Sequence, residues 1–578
     1  MDFKEEIVEL LNQEAKLPLD YLRKVITIPP SAELGDYAFP CFKLGKNPKN
    51  EAEKLKEKLK LPKVFSKVEV AGPYLNFFLD HKFLAEDTLV KIYREGKYYG
   101  KKDLGKGKKA VIEYCGPNTN KPLHLGHLRN MALGNSVCRI FSFMGYDVKP
   151  VNIINDRGVH ICQSMIAYQK WGEKKLPDKK SDHFVGDYYV MFAQKAKEEE
   201  KAIKEGKQVK DDLKKQAQEL LVKWEQGDKE VRTLWKLMNT WVLEGFAKTY
   251  KRFGIAFEKE YFESEMYEHG KEIVYEGFEK KIFKKNENDA IIAPLEKYGL
   301  SDKVLLRSDG TSVYITQDLY LAGVRFRDFK FSKMVYVVAS EQRLHFQQLF
   351  KILELLGRKF SENMFHLSYG LVHLPSGRMK SREGTVVDAD DIMDEISSLA
   401  EIEIKKRYEN LQEKDVKERA DQIGLAAIKF FMLQTDSVKD ITFNPEESLS
   451  FEGETGPYLQ YSHARACSIL RKAFQEQNLE ISEKVNYEQF NLAEELKVIK
   501  LLHNFSEILE DVVRTSKPHS LANYLITVAQ AFNEFYHKCP VLSEQKQCTK
   551  ARLLLVDSVR QVLDNGLDLL GIKALEEM

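Results

Sequence analysis

Ala110-Val111-Ile112-Glu113-Tyr114-Cys115-Gly116-Pro117-Asn118-Thr119-Asn120-Lys121-Pro122-Leu123-His124-Leu125-Gly126-His127-Leu128-Arg129 passes from one conformational preference to another. Its first five residues favour an extended strand. The next seven are rich in Gly, Pro and Asn, which turn the chain. From near Gly126, apolar residues at Leu128, Met131, Val137 and Ile140 recur at helical spacing, and Asp147 to Ile154 reads as a second strand. Strand, loop, helix and strand in this order make the βαβ unit of a parallel sheet.

On the N-terminal side, residues 1–105 read as a separate α/β module. It has helical spacing at Phe3, Ile7, Leu10 and Leu11, then Val68 to Ala71, a Gly72-Pro73 turn and Tyr74 to Leu79 as paired strands. The Gly- and Lys-rich run Gly100 to Lys109 reads as a linker. On the C-terminal side, residues 106–395 form the central α/β domain. Charged helices over about 170–303 are expected as an insertion between two halves of its sheet. The α/β pattern is expected to resume at Lys303 to Leu306 and Met334 to Val338. A connecting helical region (396–445) and an all-helical domain (446–578) follow.

With 43% hydrophobic and 31% charged residues, the 578-residue chain has material for several cores and the composition of a globular protein. No apolar run approaches the roughly 20 residues that cross a bilayer, and Met1 to Glu6 does not open a signal peptide, so a cytoplasmic protein without a membrane is expected. Seven scattered cysteines form no CxxC pair, which argues against a zinc site or disulfide framework. The 89 basic and 88 acidic residues nearly cancel, which leaves nucleic-acid binding open through a local basic face.

Two stretches carry chemistry. In His124-Leu125-Gly126-His127, two imidazoles sit at a helix start, whose free N–H groups and dipole favour phosphate. Hydrogen bonds from such imidazoles stabilise charge developing on an α-phosphate, and Gly126 leaves backbone open to a flat base. The second stretch, Gly377-Arg378-Met379-Lys380-Ser381-Arg382-Glu383-Gly384-Thr385, is a cationic loop between glycines, placed before a helix starting near Asp388. Three cations in five residues make a clamp for phosphates.

Together the two stretches resemble the HIGH and KMSKS signatures of class I aminoacyl-tRNA synthetases. Glu113 through Arg129 is similar to the arginyl enzymes in particular. So are Val70-Ala71-Gly72-Pro73-Tyr74-Leu75-Asn76, Phe451 through Tyr461, Phe535 through Val541 and the closing Leu570 to Met578, so the resemblance spans nearly the whole chain. There are two departures. Ser381 stands where the general loop signature has a second lysine, and Lys121, three residues before His124, is placed to supply that charge. Asn155-Asp156-Arg157-Gly158-Val159-His160 keeps Asp156 and Gly158 of a run that many relatives carry as Gly-Asp-Trp-Gly-x-Gln, but not its third and sixth residues.

The resemblance implies a Rossmann-type parallel-sheet catalytic domain with a helical insertion, an N-terminal α/β module and an all-α anticodon-binding domain. It implies an ATP-dependent arginine–tRNA ligase with magnesium on the phosphates, L-arginine and tRNA(Arg) as partners, no protein-bound metal and a monomeric state. The expected catalytic residues are His124, His127, Lys121, Lys380 and Arg382. ATP is expected at Pro117, Asn118, His124, Gly126, His127, Arg378, Met379, Lys380 and Ser381. A planar guanidinium suits carboxylates bidentately, and the arginine site is expected at Glu113, Asn118, Tyr314, Asp318, Gln342 and Glu263. Asn76 and Phe77 are expected on the D-arm, and Tyr458, Tyr461, Arg465 and Met578 on the anticodon, whose unpaired bases stack on aromatics. A synthetase for another amino acid and a non-catalytic RNA-binding relative remain as alternatives. Intact His124, Gly126, His127 and Lys121 argue against the second, because a binding module has no use for a phosphate clamp.

Overall fold

Near the N-terminus, three antiparallel strands, β1 (Tyr37–Pro40), β2 (Phe65–Ala71) and β3 (Tyr74–Leu79), pair in the order β1-β3-β2. Gly72, at φ +60°, and Pro73 close the two-residue turn between β2 and β3. Helices Phe3–Ala15 and Pro48–Lys58 flank the sheet, and Phe3, Ile7, Phe39, Leu75 and Phe77 are fully buried. The structure is a computed structural model that describes residues 3–205, 212–375, 387–407, 411–543 and 545–578.

Helix His81–Glu95 leads out of this unit. Its first turn is capped by Asp80, which accepts from the Phe83 N–H at 2.9 Å. At its far end the chain is clamped to the C-terminal helices. Tyr99 donates to the Leu502 carbonyl at 2.9 Å, and Asn565 donates to the Gly96 carbonyl at 3.0 Å. The stretch expected as a linker is thus held at its start.

The central sheet contains β4 (Lys109–Glu113), β5 (Asp147–Ile154) and β6 (Lys259–Phe262). A small antiparallel sheet of β7 (Lys284–Lys285), β8 (Ile291–Ala293) and β9 (Lys303–Leu306) follows. The chain then returns to the central sheet with β10 (Lys333–Ala339) and β11 (Met364–Tyr369), giving the all-parallel order β11-β10-β4-β5-β6. Two expectations change here. Lys259–Phe262, read as part of an inserted helical stretch, is an edge strand of the central sheet, because it continues the pairing of β5. Lys303–Leu306 is a strand, but it pairs antiparallel with β8 outside that sheet. Four apolar residues signal a strand without saying which sheet it joins.

Helix Leu125–Phe143 packs beneath β4 and β10. Its C-terminal half reaches the last long helix, Lys546–Leu569: Ser136 donates to the Leu569 carbonyl at 3.1 Å and Arg139 to the Asp568 carboxylate at 2.8 Å. Helix Glu413–Gln434 lies against both the Leu125–Phe143 helix and the Gly456–Gln477 helix. From residue 456 on, the described structure is helical apart from short turns and connecting loops.

Candidate active site

The sheet order fixes where a site can form. From β4 the chain moves to β5 and β6 on one side and later to β10 and β11 on the other. Loops at the carboxyl ends of β4 and β10 therefore diverge, leaving a crevice at the switch point of the sheet. The expected residues leave the strands at that edge. Asn118 and His124 follow β4, Asn155 and Asp156 follow β5, Glu263 follows β6, and Gln342 follows β10. A backbone bridge joins Asn118 to Asn155.

After β4 the backbone turns through two left-handed residues, Cys115 (φ +81°) and Gly116 (φ +61°). The conformation is costly for a cysteine, and two asparagines hold it. Asn130 accepts from the Cys115 N–H at 2.5 Å, and Asn152 accepts from the Gly116 N–H at 2.9 Å. Asn130 also donates to the Val337 carbonyl at 2.8 Å, so one side chain ties helix, turn and β10 together.

His124 is the N-cap of its helix. Its Nδ1 accepts from the Gly126 N–H at 3.2 Å, while His127 Nδ1 accepts from the His124 N–H at 3.0 Å. This is a reciprocal cap built from imidazoles. Both Nδ1 atoms therefore present lone pairs, and each neutral ring carries its proton on Nε2. Burial, with Lys121 nearby, pushes the His124 pKa down to about 3 and that of His127 well below the ordinary range. The pair thus offers neutral N–H donors. At Gly126 a Cβ would stand 3.1 Å from the His124 ring, so the residue makes room for that imidazole.

Lys121 is half-buried. Burial lowers its pKa, and Asp388 is the charge that opposes the fall. The cationic loop residues Arg378, Met379, Lys380, Ser381 and Arg382 lie outside the described residues. Where description resumes, the chain is bound to the histidine helix: Leu125 N–H donates to the Val387 carbonyl at 3.2 Å, and Ala389 N–H donates to the Leu123 carbonyl at 2.9 Å. Asp388, whose pKa is pushed up to about 6 by burial, lies beside a charged cluster. In it Lys180 reaches Asp182 at 2.7 Å and Asp390 at 2.9 Å, and His183 reaches Asp390 at 3.3 Å. Asp182, His183 and Asp390 have the spacing of metal ligands, but the Lys180 ammonium already supplies a cation between the two carboxylates.

A second group of charges is acidic. Glu263 is buried, and burial raises its pKa to about 7; Arg157 pulls it down, while Asp156 and Asp318 push it further up. Asp156 accepts from Ser264 at its backbone N–H (2.8 Å) and hydroxyl (2.6 Å). Asp318 and Tyr314 share the Tyr314–Phe329 helix, and Asp318 meets His345 at 2.7 Å. Tyr314, the first residue of that helix, is 76% exposed. Asn118 and Gln342 are exposed at the rim, and Pro117 is buried beneath it. Glu113 is drawn elsewhere. It is buried and ion-paired with Arg325, itself enclosed by Tyr261 and Tyr336, so its carboxylate already holds a guanidinium of this chain.

The RNA expectations divide. Tyr458, Tyr461 and Arg465 line one groove of about 830 Å³ with Asn533 and His537. Arg465 donates to Asn533 at 2.6 Å and to the Tyr461 hydroxyl at 2.9 Å, and its guanidinium lies 4.7 Å from the Tyr461 ring centre. Met578 is partly buried and packs against the core. Phe77 is 0% exposed and Asn76 is buried, so neither is presented to a partner. Tyr74, on the face of Asn76 but at the start of the strand, is exposed instead, and meets exposed Phe42 edge to face at 5.8 Å. The sequence reading missed Asn130, Asn152 and the Lys180 cluster. Polar residues within a strand, a helix or its cap give no signal until the fold brings their partners close.

Family models agree with this layout. The catalytic domain of class I (R) tRNA synthetases matches residues 88–445, the DALR anticodon-binding domain residues 459–578, and the arginyl-tRNA synthetase N-terminal domain residues 1–79. Arginine–tRNA ligase of Treponema denticola is 46% identical, covering 96% of this chain and 94% of its own length. That of Treponema pallidum is 42% identical, covering 99% and 98%. The solved arginyl-tRNA synthetase of Thermus thermophilus superposes with a TM-score of 0.84 at 26% identity over 100% of both chains. A half-buried pair of histidine donors at the switch point, three family models and near full-length relatives agree: the chain belongs to the class I arginyl-tRNA synthetases and is an arginine–tRNA ligase.

Proposed function

We propose that the crevice at the carboxyl edge of β4 and β10 joins L-arginine to ATP, and that the arginyl group then passes to the terminal adenosine of tRNA(Arg). The supporting observation is that the carboxyl edge of one sheet carries two unlike charge environments: neutral imidazole N–H groups with Lys121 after β4, and buried Glu263, on which Asp318 acts, after β6. The arginine carboxylate attacks the α-phosphorus, forming the acyl–phosphate bond and releasing pyrophosphate. ATP enters as its magnesium complex, so that metal belongs to the substrate. His124 and His127 donate Nε2–H to the phosphate oxygens, and Lys121 supplies the cation that Ser381 does not. All three act by positioned electrostatics, without a protein nucleophile. Lys380 and Arg382 add their charge to the stabilisation of the phosphates.

Asp318 and Glu263 receive the guanidinium, Tyr314 adds a hydrogen bond, and Asn118 and Gln342 serve the amino and carboxylate ends. A smaller amino acid would leave these carboxylates unpaired, which is a strong ground for rejection. The groove of Tyr458, Tyr461 and Arg465 takes unpaired anticodon bases. We further propose a monomer working in the cytoplasm.

The test is charging of pure tRNA(Arg) by the wild type, Lys121→Met and Asp318→Asn, with folding checked by circular dichroism. Loss of charging in both folded variants is expected. Normal charging by Asp318→Asn would remove the proposed pocket.

A further inference from the structure

Arg157 has no task in the scheme above, yet its surroundings are specific. It lies between Asp156 and Gly158, where Gly158 takes φ +114° to start the Val159–Trp171 helix. Its side chain is only 12% exposed. The guanidinium lies 4.1 Å from the Tyr267 ring centre and 5.6 Å from that of Trp224, whose ring also carries Arg232 at 3.4 Å. One terminal nitrogen is ion-paired with Glu225, the other stands 3.9 Å from Glu263 Oε1, and the buried Nε has no hydrogen-bond partner. Ring, anchor and acid together fix a planar cation beside the acidic pocket.

Charge explains why a cation there matters. The charged groups facing Glu263 are Arg157, Asp156 and Asp318. Asp318 is held by His345, and Asp156 by Ser264. A single incoming guanidinium cannot neutralise three close carboxylates, and like charges that share a site drive one of them to take up a proton. A protonated Glu263 would present a hydroxyl and lose its ionic attraction for the substrate. At 3.9 Å, Arg157 is near enough to favour the carboxylate electrostatically and too far to occupy its oxygens as a hydrogen-bonded partner.

We propose that Arg157 is a resident cation of the amino-acid pocket: it keeps Glu263 charged while the pocket is empty and surrenders that carboxylate to the guanidinium of arginine, remaining on Glu225 and Tyr267. The proposal rests on the reading that Glu263 receives the substrate. It makes Arg157 a positioning residue that determines specificity without touching the reacting atoms.

The test is steady-state aminoacylation with arginine varied at pH 6.5, 7.5 and 9, ATP and tRNA(Arg) saturating, for wild type, Arg157→Met, Arg157→Lys and Glu263→Gln. Near pH 6.5 Arg157→Met raises KM for arginine by up to about tenfold, the limit set by a one-unit change in a carboxyl pKa, while kcat stays within about threefold. The ratio to wild type closes toward one at pH 9, where Glu263 ionises without help, and Arg157→Lys recovers most of the low-pH affinity. A KM ratio equal at all three pH values, or a fall in kcat alone, would overturn the proposal. Should Arg157→Met not fold, Arg157→Gln takes its place with the same expectations. Wild-type KM in Glu263→Gln at every pH would sink the underlying pocket assignment and this inference with it. An impaired Glu263→Gln beside a pH-independent Arg157→Met would sink the inference alone.

Discussion

Gly186→Ala tests how the site is held without altering any group assigned to substrate. Gly186 lies in the Ser181–Lys204 helix, behind the loop that carries Lys121. A Cβ there would stand 2.7 Å from Pro122 Cδ and 3.7 Å from Lys121 Cα. Ordinary contact begins at 3.4 Å, so at least 0.7 Å must be recovered (3.4 less 2.7). The helix is packed against both the Val159–Trp171 and Lys229–Phe253 helices, whereas residues 121 and 122 lie in irregular chain, so the loop should yield. That displaces Lys121 relative to the imidazoles, and a misplacement of about 1 Å costs on the order of 10²-fold in rate. The expected result is a fall in kcat for arginine-dependent pyrophosphate exchange, with tRNA(Arg) present, of roughly 30- to 100-fold. Overpacking should cost about 1–3 kcal/mol of stability, read by denaturant unfolding. Wild-type kcat in a folded Gly186→Ala protein would refute the reasoning, whether or not stability fell, because the helix rather than the loop would then have moved.

Glu113→Ala should destabilise the chain by about 3–5 kcal/mol in urea unfolding, because it leaves the Arg325 guanidinium buried and unpaired; a change below 1 kcal/mol would return Glu113 to the substrate. His183 has its pKa raised, first by its hydrogen bond to Asp390, so its contribution is complete below the unfolded value near 6.5 and fades as pH rises through the raised folded value. The melting-temperature gap between wild type and His183→Gln should therefore be widest near pH 5.5 and shrink toward pH 9; a gap that widened would reverse the sign. Arg465→Ala should raise KM for tRNA(Arg) by about tenfold, the scale of one lost base-stacking or charge contact of 1–3 kcal/mol, and leave pyrophosphate exchange at saturating tRNA near wild type. Equal KM values would exclude that groove.

Local pattern carried much of the architecture. The second catalytic strand was legible at both ends, Asp147 and Ile154, because Val148, Val151, Ile153 and Ile154 lie between a glycine turn and a polar loop. The hairpin at Gly72-Pro73 announced itself through turn chemistry. What stayed hidden was long-range. Glu113 looks like any strand-end acid until residue 325 is placed beside it, and Phe77 differs from Tyr74 only in its parity and its place along the strand. The placing of both imidazoles at a helix start was legible, but their neutrality was not, since it comes from burial and from the hydrogen bonds of a reciprocal cap.

The Leu125–Phe143 helix has 19 residues, a rod of about 28 Å at 1.5 Å per residue. One tip is His124; within the C-terminal half, Ser136 and Arg139 grip residues 569 and 568. The C-terminal helical domain and the imidazole pair are therefore mounted about 18 Å apart along a single strut with no proline in it. A tilt of that domain passes to the imidazoles through this stiff member, with the Glu413–Gln434 helix, packed on both sides, as a second route.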